Sequence, residues 1–191
     1  MSNEKAESTD VFSGALMAGT RSGENAVALG RFDIECIGVD GKVKWKDSAP
    51  NLVVNVGLAY MAGVALTSTT QITTWYVGLW GAVASNTPAA GDTMSSHAGW
   101  TENVTYSQST RVAITFVAAT TANPSVVTNS VAAAFTANGT TTIGGAFLTS
   151  GSAKSGTAGT LFSGSDFSPP GDRSAVSGDT INVTYTMSLA G

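Results

Sequence analysis

The stretch Thr180-Ile181-Asn182-Val183-Thr184-Tyr185-Thr186-Met187-Ser188-Leu189 alternates large apolar residues with small polar ones throughout its length. Successive side chains of an extended chain point to opposite faces, so this segment predicts a strand with one face toward a core and the other toward water. Wound as a helix, the same apolar residues would scatter around the whole circumference. Threonine suits the outward face, because β-branched side chains pack well on a pleated surface. The period returns at Phe32-Asp33-Ile34-Glu35-Cys36, and again from Thr110 to Val117, where Val112, Ile114 and Phe116 share a face.

Turn signals connect these segments. Asp40-Gly41 reads as a two-residue hairpin turn, followed by Val43 and Trp45 alternating with Lys42, Lys44 and Lys46. The resulting hairpin sets Asp33 and Glu35 opposite lysines, which predicts cross-strand ion pairs. Trp75 to Trp80 is an apolar run of strand length. Alternation puts Trp75 and Val77 on one face and Tyr76, Gly78 and Trp80 on the other, so the strand is expected to be buried on both sides. Val126 to Thr136 predicts a strand ended by Asn138-Gly139, while Ile143 to Leu148 and Thr160 to Phe162 predict short ones. Ala84 to Ser96 and residues 163–178 read as loops. Leu52 to Leu66 is the one helix candidate, with a start at Leu52 or nearer Asn55, and its apolar character reads as core. About eight strands at such spacing predict a mainly β fold, an antiparallel β-sandwich or jelly-roll-like barrel with one short helix. The expected organisation is an extended N-terminal arm over 1–30 and a single β-sandwich domain over 31–191.

Composition agrees. Gly, Ala, Ser and Thr make up half of the 191 residues, and charged residues only 12%. That is too little charge for ordinary disorder and too little proline for a collagen-like chain. Net charge is −4, with no basic footprint for nucleic acid. Residues 51–191 hold just Asp92, Glu102, Arg111, Lys154, Asp166, Asp172, Arg173 and Asp179 as charges. A body so poor in charge predicts a Ser/Thr-coated surface or one covered by partners in an oligomer. The opening residues are acidic and polar, without the order of a secretory signal. No apolar run is long enough to span a membrane. Within 1–30, Ala15-Leu16-Met17 and Ala26-Val27-Ala28-Leu29 are apolar knots, and Leu16, Met17, Val27 and Leu29 are the candidate partner contacts.

Candidates for chemistry are few. One histidine, His97, lies in a Ser- and Gly-rich segment without a G-x-S-x-G elbow, and reads as a hydrogen-bonded structural residue beside a core Trp100. One cysteine, Cys36, allows no intramolecular disulfide and reads as a buried small hydrophobe. One His and one Cys cannot supply a structural zinc set within one chain, so no metal or other cofactor is expected. Glu102 and Asp92 are a carboxylate pair with nothing to distinguish it. Gly151 to Gly156, with Lys154, lacks phosphate-loop order and reads as a flexible loop. Asn103, Asn138 and Asn182 open N-x-[ST] triplets expected by chance in a Thr-rich chain. Trp80 and Trp100 are candidates for an aromatic surface that would bind a receptor or a sugar. Gly91-Asp92-Thr93-Met94 and Gly178-Asp179-Thr180-Ile181 read as two similar turns, each using its Asp side chain to bond nearby backbone.

Several blocks carry a family resemblance. They are Phe32-Asp33-Ile34-Glu35, Asn51-Leu52-Val53-Val54, Thr74-Trp75-Tyr76-Val77-Gly78-Leu79, Ala90-Gly91-Asp92-Thr93-Met94 and His97-Ala98-Gly99-Trp100-Thr101-Glu102. Others are Tyr106-Ser107-Gln108-Ser109-Thr110-Arg111, Gly144-Gly145-Ala146-Phe147-Leu148, Gly156-Thr157-Ala158-Gly159-Thr160-Leu161-Phe162 and Gly178 to Thr186. In order and spacing they resemble a family of small tailed-bacteriophage virion proteins, over roughly residues 31–189. The resemblance implies a non-enzymatic structural protein of the virion. Its implied partners are the major capsid protein, other virion proteins and copies of itself, rather than nucleic acid or membrane. Head decoration or cement is the leading expectation; a tail fibre, spike or adaptor is the alternative, and a receptor- or carbohydrate-binding module a further one.

Overall fold

The computed structural model describes residues 26–81, 88–167 and 171–191. In chain order the elements are β1 Val27–Ile37, β2 Val43–Pro50, β3 Leu52–Val53, α1 Asn55–Leu66, β4 Trp75–Gly81, β5 Glu102–Asn103, β6 Val112–Ile114, β7 Ser125–Thr128, β8 Ala133–Thr136, β9 Thr141–Thr149, β10 Leu161–Asp166, β11 Arg173–Ala175 and β12 Thr180–Ala190. One sheet runs β2-β1-β12-β7, with β8 also on β12; the other runs β3-β10-β9-β4-β5, with β11 on β9 and β6 on β4. All named pairings are antiparallel. The protein is a mainly β sandwich, as the alternation predicts.

The segment Thr180–Ala190 is the centre of the first sheet. It pairs with β1 along its whole length, from Val27 opposite Ala190 to Ile37 opposite Thr180. Its inward residues Ile181, Val183, Tyr185 and Met187 are buried, and so are Phe32, Ile34 and Cys36 of β1. Strand β1 starts at Val27, inside the stretch expected to be arm: residues 27–30 are held by the end of β12. The hairpin turn is longer than the expected two residues. The Gly41 N–H donates to Gly38 O at 2.9 Å, and Gly41 takes the left-handed conformation, φ +75°, that glycine adopts without penalty. Of the expected cross-strand ion pairs, Lys46–Glu35 forms at 2.9 Å, whereas Asp33 lies opposite Ser48 and takes Arg31 of its own strand instead.

Three long strands each carry two short ones along a single edge. β12 carries β7 and β8, β4 carries β6 and β5, and β9 carries β10 and β11. The expected strand Val126–Thr136 is therefore two strands. At the break, the buried Asn129 side chain does the work of a backbone residue. Its Oδ1 accepts the Tyr185 N–H at 2.7 Å, and its Nδ2 donates to Val131 O at 2.7 Å and Val183 O at 3.3 Å. No polar group of β12 is left stranded in the core there, which would cost about 1–3 kcal/mol. The expected loop 163–178 likewise contains the rest of β10 and all of β11.

Two apolar clusters result. The larger lies between the sheets and joins Phe32, Ile181, Val183 and Tyr185 to Val77, Leu79, Ile143 and Leu148. The smaller, on the outer face of the second sheet, holds Val54, Trp80, Met94, Trp100, Phe147 and Leu161. Strand β4 is thus buried on both faces, as its aromatic pattern predicts. Glycines make the outer cluster possible. A Cβ on Gly145 would stand 2.6 Å from the Trp80 ring, and one on Gly164 2.5 Å from it, so the indole lies on bare backbone.

Candidate interface around the exposed apolar helix

Helix α1 reads Asn55-Val56-Gly57-Leu58-Ala59-Tyr60-Met61-Ala62-Gly63-Val64-Ala65-Leu66, without a charged side chain. An apolar all-round helix is ordinarily a buried one. Here Gly57 is its one buried residue, and Leu58 and Leu66 are 44% and 85% exposed. The expectation that Leu52–Leu66 lies in the core holds for Val53 and Val54 and is corrected for the outer face of α1. Its closest approach to the sheets is at Gly57, where a Cβ would collide with the backbone oxygen of Phe162. That contact docks the helix on β10, with Val56, Tyr60 and Met61 half-buried against the two clusters, and leaves Leu58, Ala62, Ala65 and Leu66 exposed. The end is fixed by Thr67, whose N–H and hydroxyl both donate to Gly63 O, at 2.9 and 2.7 Å.

Beside the helix an apolar cleft of about 330 Å³ opens between the two sheets. Tyr60, Met61 and Val64 form one wall, Trp75 and Phe162 the floor, and Met187 and Leu189 the opposite wall. Tyr60 packs edge-on to Trp75 with ring centroids 5.4 Å apart, and Trp75 does the same to Phe162. The Tyr60 hydroxyl accepts the Ile72 N–H at 2.7 Å, which pins the segment after α1 over the cleft. The volume falls at the low end of ligand pockets, roughly 300–1,000 Å³.

Of the partner contacts expected from sequence, Val27 and Leu29 are on β1 and are 45% and 59% exposed. They face outward at the end where β2 has stopped, since Pro50 pairs with Arg31. Leu16 and Met17 lie outside the described residues. Leu189, pairing with Ala28, lines the cleft, so Val27, Leu29, the cleft and α1 gather at one end of the molecule.

The candidate aromatic surface is not a surface, and the reading of Trp100 and the Trp75–Trp80 strand as core holds. Trp80 is fully buried and Trp100 is 3% exposed. They stack on each other with centroids 4.9 Å apart. His97 stacks on Trp100 at 3.7 Å, and its Nδ1 is 3.1 Å from Trp100 O. Asp92 accepts the Trp100 indole N–H and the Ala89 N–H, both at 3.0 Å, and so is engaged away from His97. The two Gly-Asp-Thr turns match: Asp179 Oδ2 accepts the Val176 N–H at 2.8 Å, as Asp92 does that of Ala89.

Several charges of the body are tied down. Glu102 receives Arg111 through two hydrogen bonds, at 2.9 and 2.8 Å, both side chains being nearly fully buried. Arg111 also donates to Gly151 O and Gly156 O, and Glu102 accepts the Ser155 N–H. Lys154 donates to Tyr106 O at 2.7 Å and stands 3.8 Å over the Tyr106 ring; burial pulls its pKa down. The loop 151–156 is therefore clasped, where flexibility was expected. Asp179, 1% exposed, takes Lys44 at 2.7 Å. Burial alone would raise the Asp179 pKa; the bonds from Lys44 and the Val176 N–H outweigh it and hold the pKa below the ordinary carboxylate value. Cys36 is buried as expected, and burial, with Asp179 beside it, pushes its thiol up to about 11.

No group of three or more His, Cys, Asp or Glu side chains capable of holding a metal occurs among the described residues. No helix among them is long and apolar enough to cross a membrane. No family model, curated protein or solved structure matches this chain. Fold and site together define a class, an antiparallel β-sandwich with one apolar, largely uncovered end.

Proposed function

We propose that this chain is a non-enzymatic structural subunit of a tailed-bacteriophage particle, working as a decoration or cement protein on the head. Its action is to cover surface between subunits, with the major capsid protein and copies of itself as partners. The observation that carries this reading is α1: twelve residues without a charge, with Leu58 and Leu66 turned to solvent beside an open apolar cleft. Exposed apolar patches of this kind mark association surfaces. The blocks that resemble virion proteins support the same conclusion.

The test is incorporation. Particles are assembled with wild-type chain or with the Leu58→Asp/Leu66→Asp variant, purified, and their content of this protein measured by mass spectrometry. Placing two charges on the contact surface is expected to lower occupancy at limiting concentration at least about tenfold, equivalent to ~1.4 kcal/mol. Equal incorporation of both proteins would remove α1 from the interface. Purified particles that never contain the chain would overturn the reading.

A further inference from the structure

We infer that the cleft beside α1 is a socket for the N-terminal segment of its own chain, with Phe12, Leu16 and Met17 as the inserted side chains. The inference does not depend on where the protein works.

The argument begins with where the described chain starts. Ala28 pairs with Leu189 and Val27 with Ala190, and Leu189 is itself a wall of the cleft. The preceding segment therefore enters the fold at the mouth of the cleft. It carries Val11-Phe12-Ser13-Gly14-Ala15-Leu16-Met17, then Ala18-Gly19-Thr20-Arg21-Ser22-Gly23-Glu24-Asn25 as a tether. Met17 precedes Val27 by ten residues, and such a tether spans up to about 33 Å when extended.

The chemistry matches on both sides. The cleft offers two methionines, Met61 and Met187, and an aromatic floor. Methionine adapts to irregular apolar partners and packs well on rings. Four apolar side chains, Val11, Phe12, Leu16 and Met17, lie within seven residues of the segment. Tethering decides between copies. A short flexible linker holds its ligand at an effective concentration on the order of millimolar, so at ordinary protein concentrations the chain's own segment fills the socket first.

The experiment places a nitroxide on Ser13→Cys in the full chain. The buried Cys36 stays unlabelled, which intact mass confirms. Methyl resonances of Met61, Ile72 and Met187 are expected to be broadened, while those of Val39, at the far end of β1, keep their intensity. In a mixture of isotope-labelled chains without nitroxide and unlabelled chains with it, no broadening is expected. Adding Phe12→Asp and Leu16→Asp to the nitroxide chain should restore the cleft signals, with unchanged dispersion of the core resonances showing that the sandwich is intact. Uniform weak broadening, or broadening that survives the two aspartates, would overturn the proposal. Broadening in the mixture would overturn the own-chain assignment in favour of exchange between copies.

Discussion

Removing one member of the Arg111–Glu102 pair is the sharpest test of how the body is held together. Both side chains are almost completely withdrawn from water, 1% and 6% exposed. Arg111 donates four hydrogen bonds, two to the carboxylate and two to loop carbonyls of Gly151 and Gly156. Arg111→Met leaves a buried carboxylate facing the Ser155 N–H alone, and Glu102→Leu leaves a buried guanidinium with two carbonyls. Breaking a buried pair in this way costs about 3–5 kcal/mol, mostly as the penalty of the stranded charge. For a chain of this size that is a fall in Tm of about 6–20 °C. The double variant Arg111→Met/Glu102→Leu strands no charge, so it is expected to be more stable than either single variant. Urea unfolding of the four proteins, read by tryptophan fluorescence, gives the coupling energy directly. Single variants costing under about 1 kcal/mol, the range of surface pairs, would refute the account. So would costs that simply add, since residues in one network are expected to couple.

Other consequences follow from the same geometry. Asn129→Ala removes the acceptor for the Tyr185 N–H and the donor for Val183 O; a loss of roughly 1–3 kcal/mol is expected, with faster amide exchange at Tyr185 by NMR as the local signature. Gly145→Ala sets a methyl against the Ser165 backbone and the Trp80 ring; overpacking costs about 1–3 kcal/mol, seen as a lower denaturation midpoint. Asp179 is held below its ordinary pKa, so its contribution to stability is complete above that ordinary value and is lost as pH falls through the folded pKa. Lys44, raised by its bond to Asp179, contributes fully below its ordinary value and loses that share as pH rises through its folded pKa. Unfolding midpoints across pH should show both slopes in the wild type and lose them in Asp179→Asn. Glycan-array binding is expected to be absent or unchanged by Trp80→Ala in any variant that still folds, because the indole is buried.

What the sequence shows and hides divides along physical lines. Period-two segments such as Thr180–Ala190 are legible because one face must be dry and the other wet; β12 falls where alternation puts it, as does β1 from Phe32 onward. The break at Asn129 is hidden, because nothing in the run Val126–Thr136 marks that a side chain stands in for a backbone group there. The clasped loop 151–156 is hidden for a related reason. Glycine and serine spell flexibility locally, and what fixes them is Arg111, forty residues away from Gly151. Trp80 reads as core from the aromatics on both faces of its strand, and Trp100 reads as core too, with a binding platform as the lesser alternative; the bare backbone that receives Trp80, at Gly145 and Gly164, comes from other strands. The exposure of α1 is the instructive miss. An uncharged run lacking a polar face reads as core, and the sequence alone does not show that the sheets leave its outer face open.

The central claim is that this sandwich works by covering surface on a particle. An electron cryo-microscopy map of the purified particle tests it most directly. The account predicts density matching the two-sheet body, repeated on the head lattice, with α1 and the Val27–Leu29 end of β1 against the shell or a neighbouring copy. A head surface bare of such density, or α1 facing solvent in every copy, would contradict it.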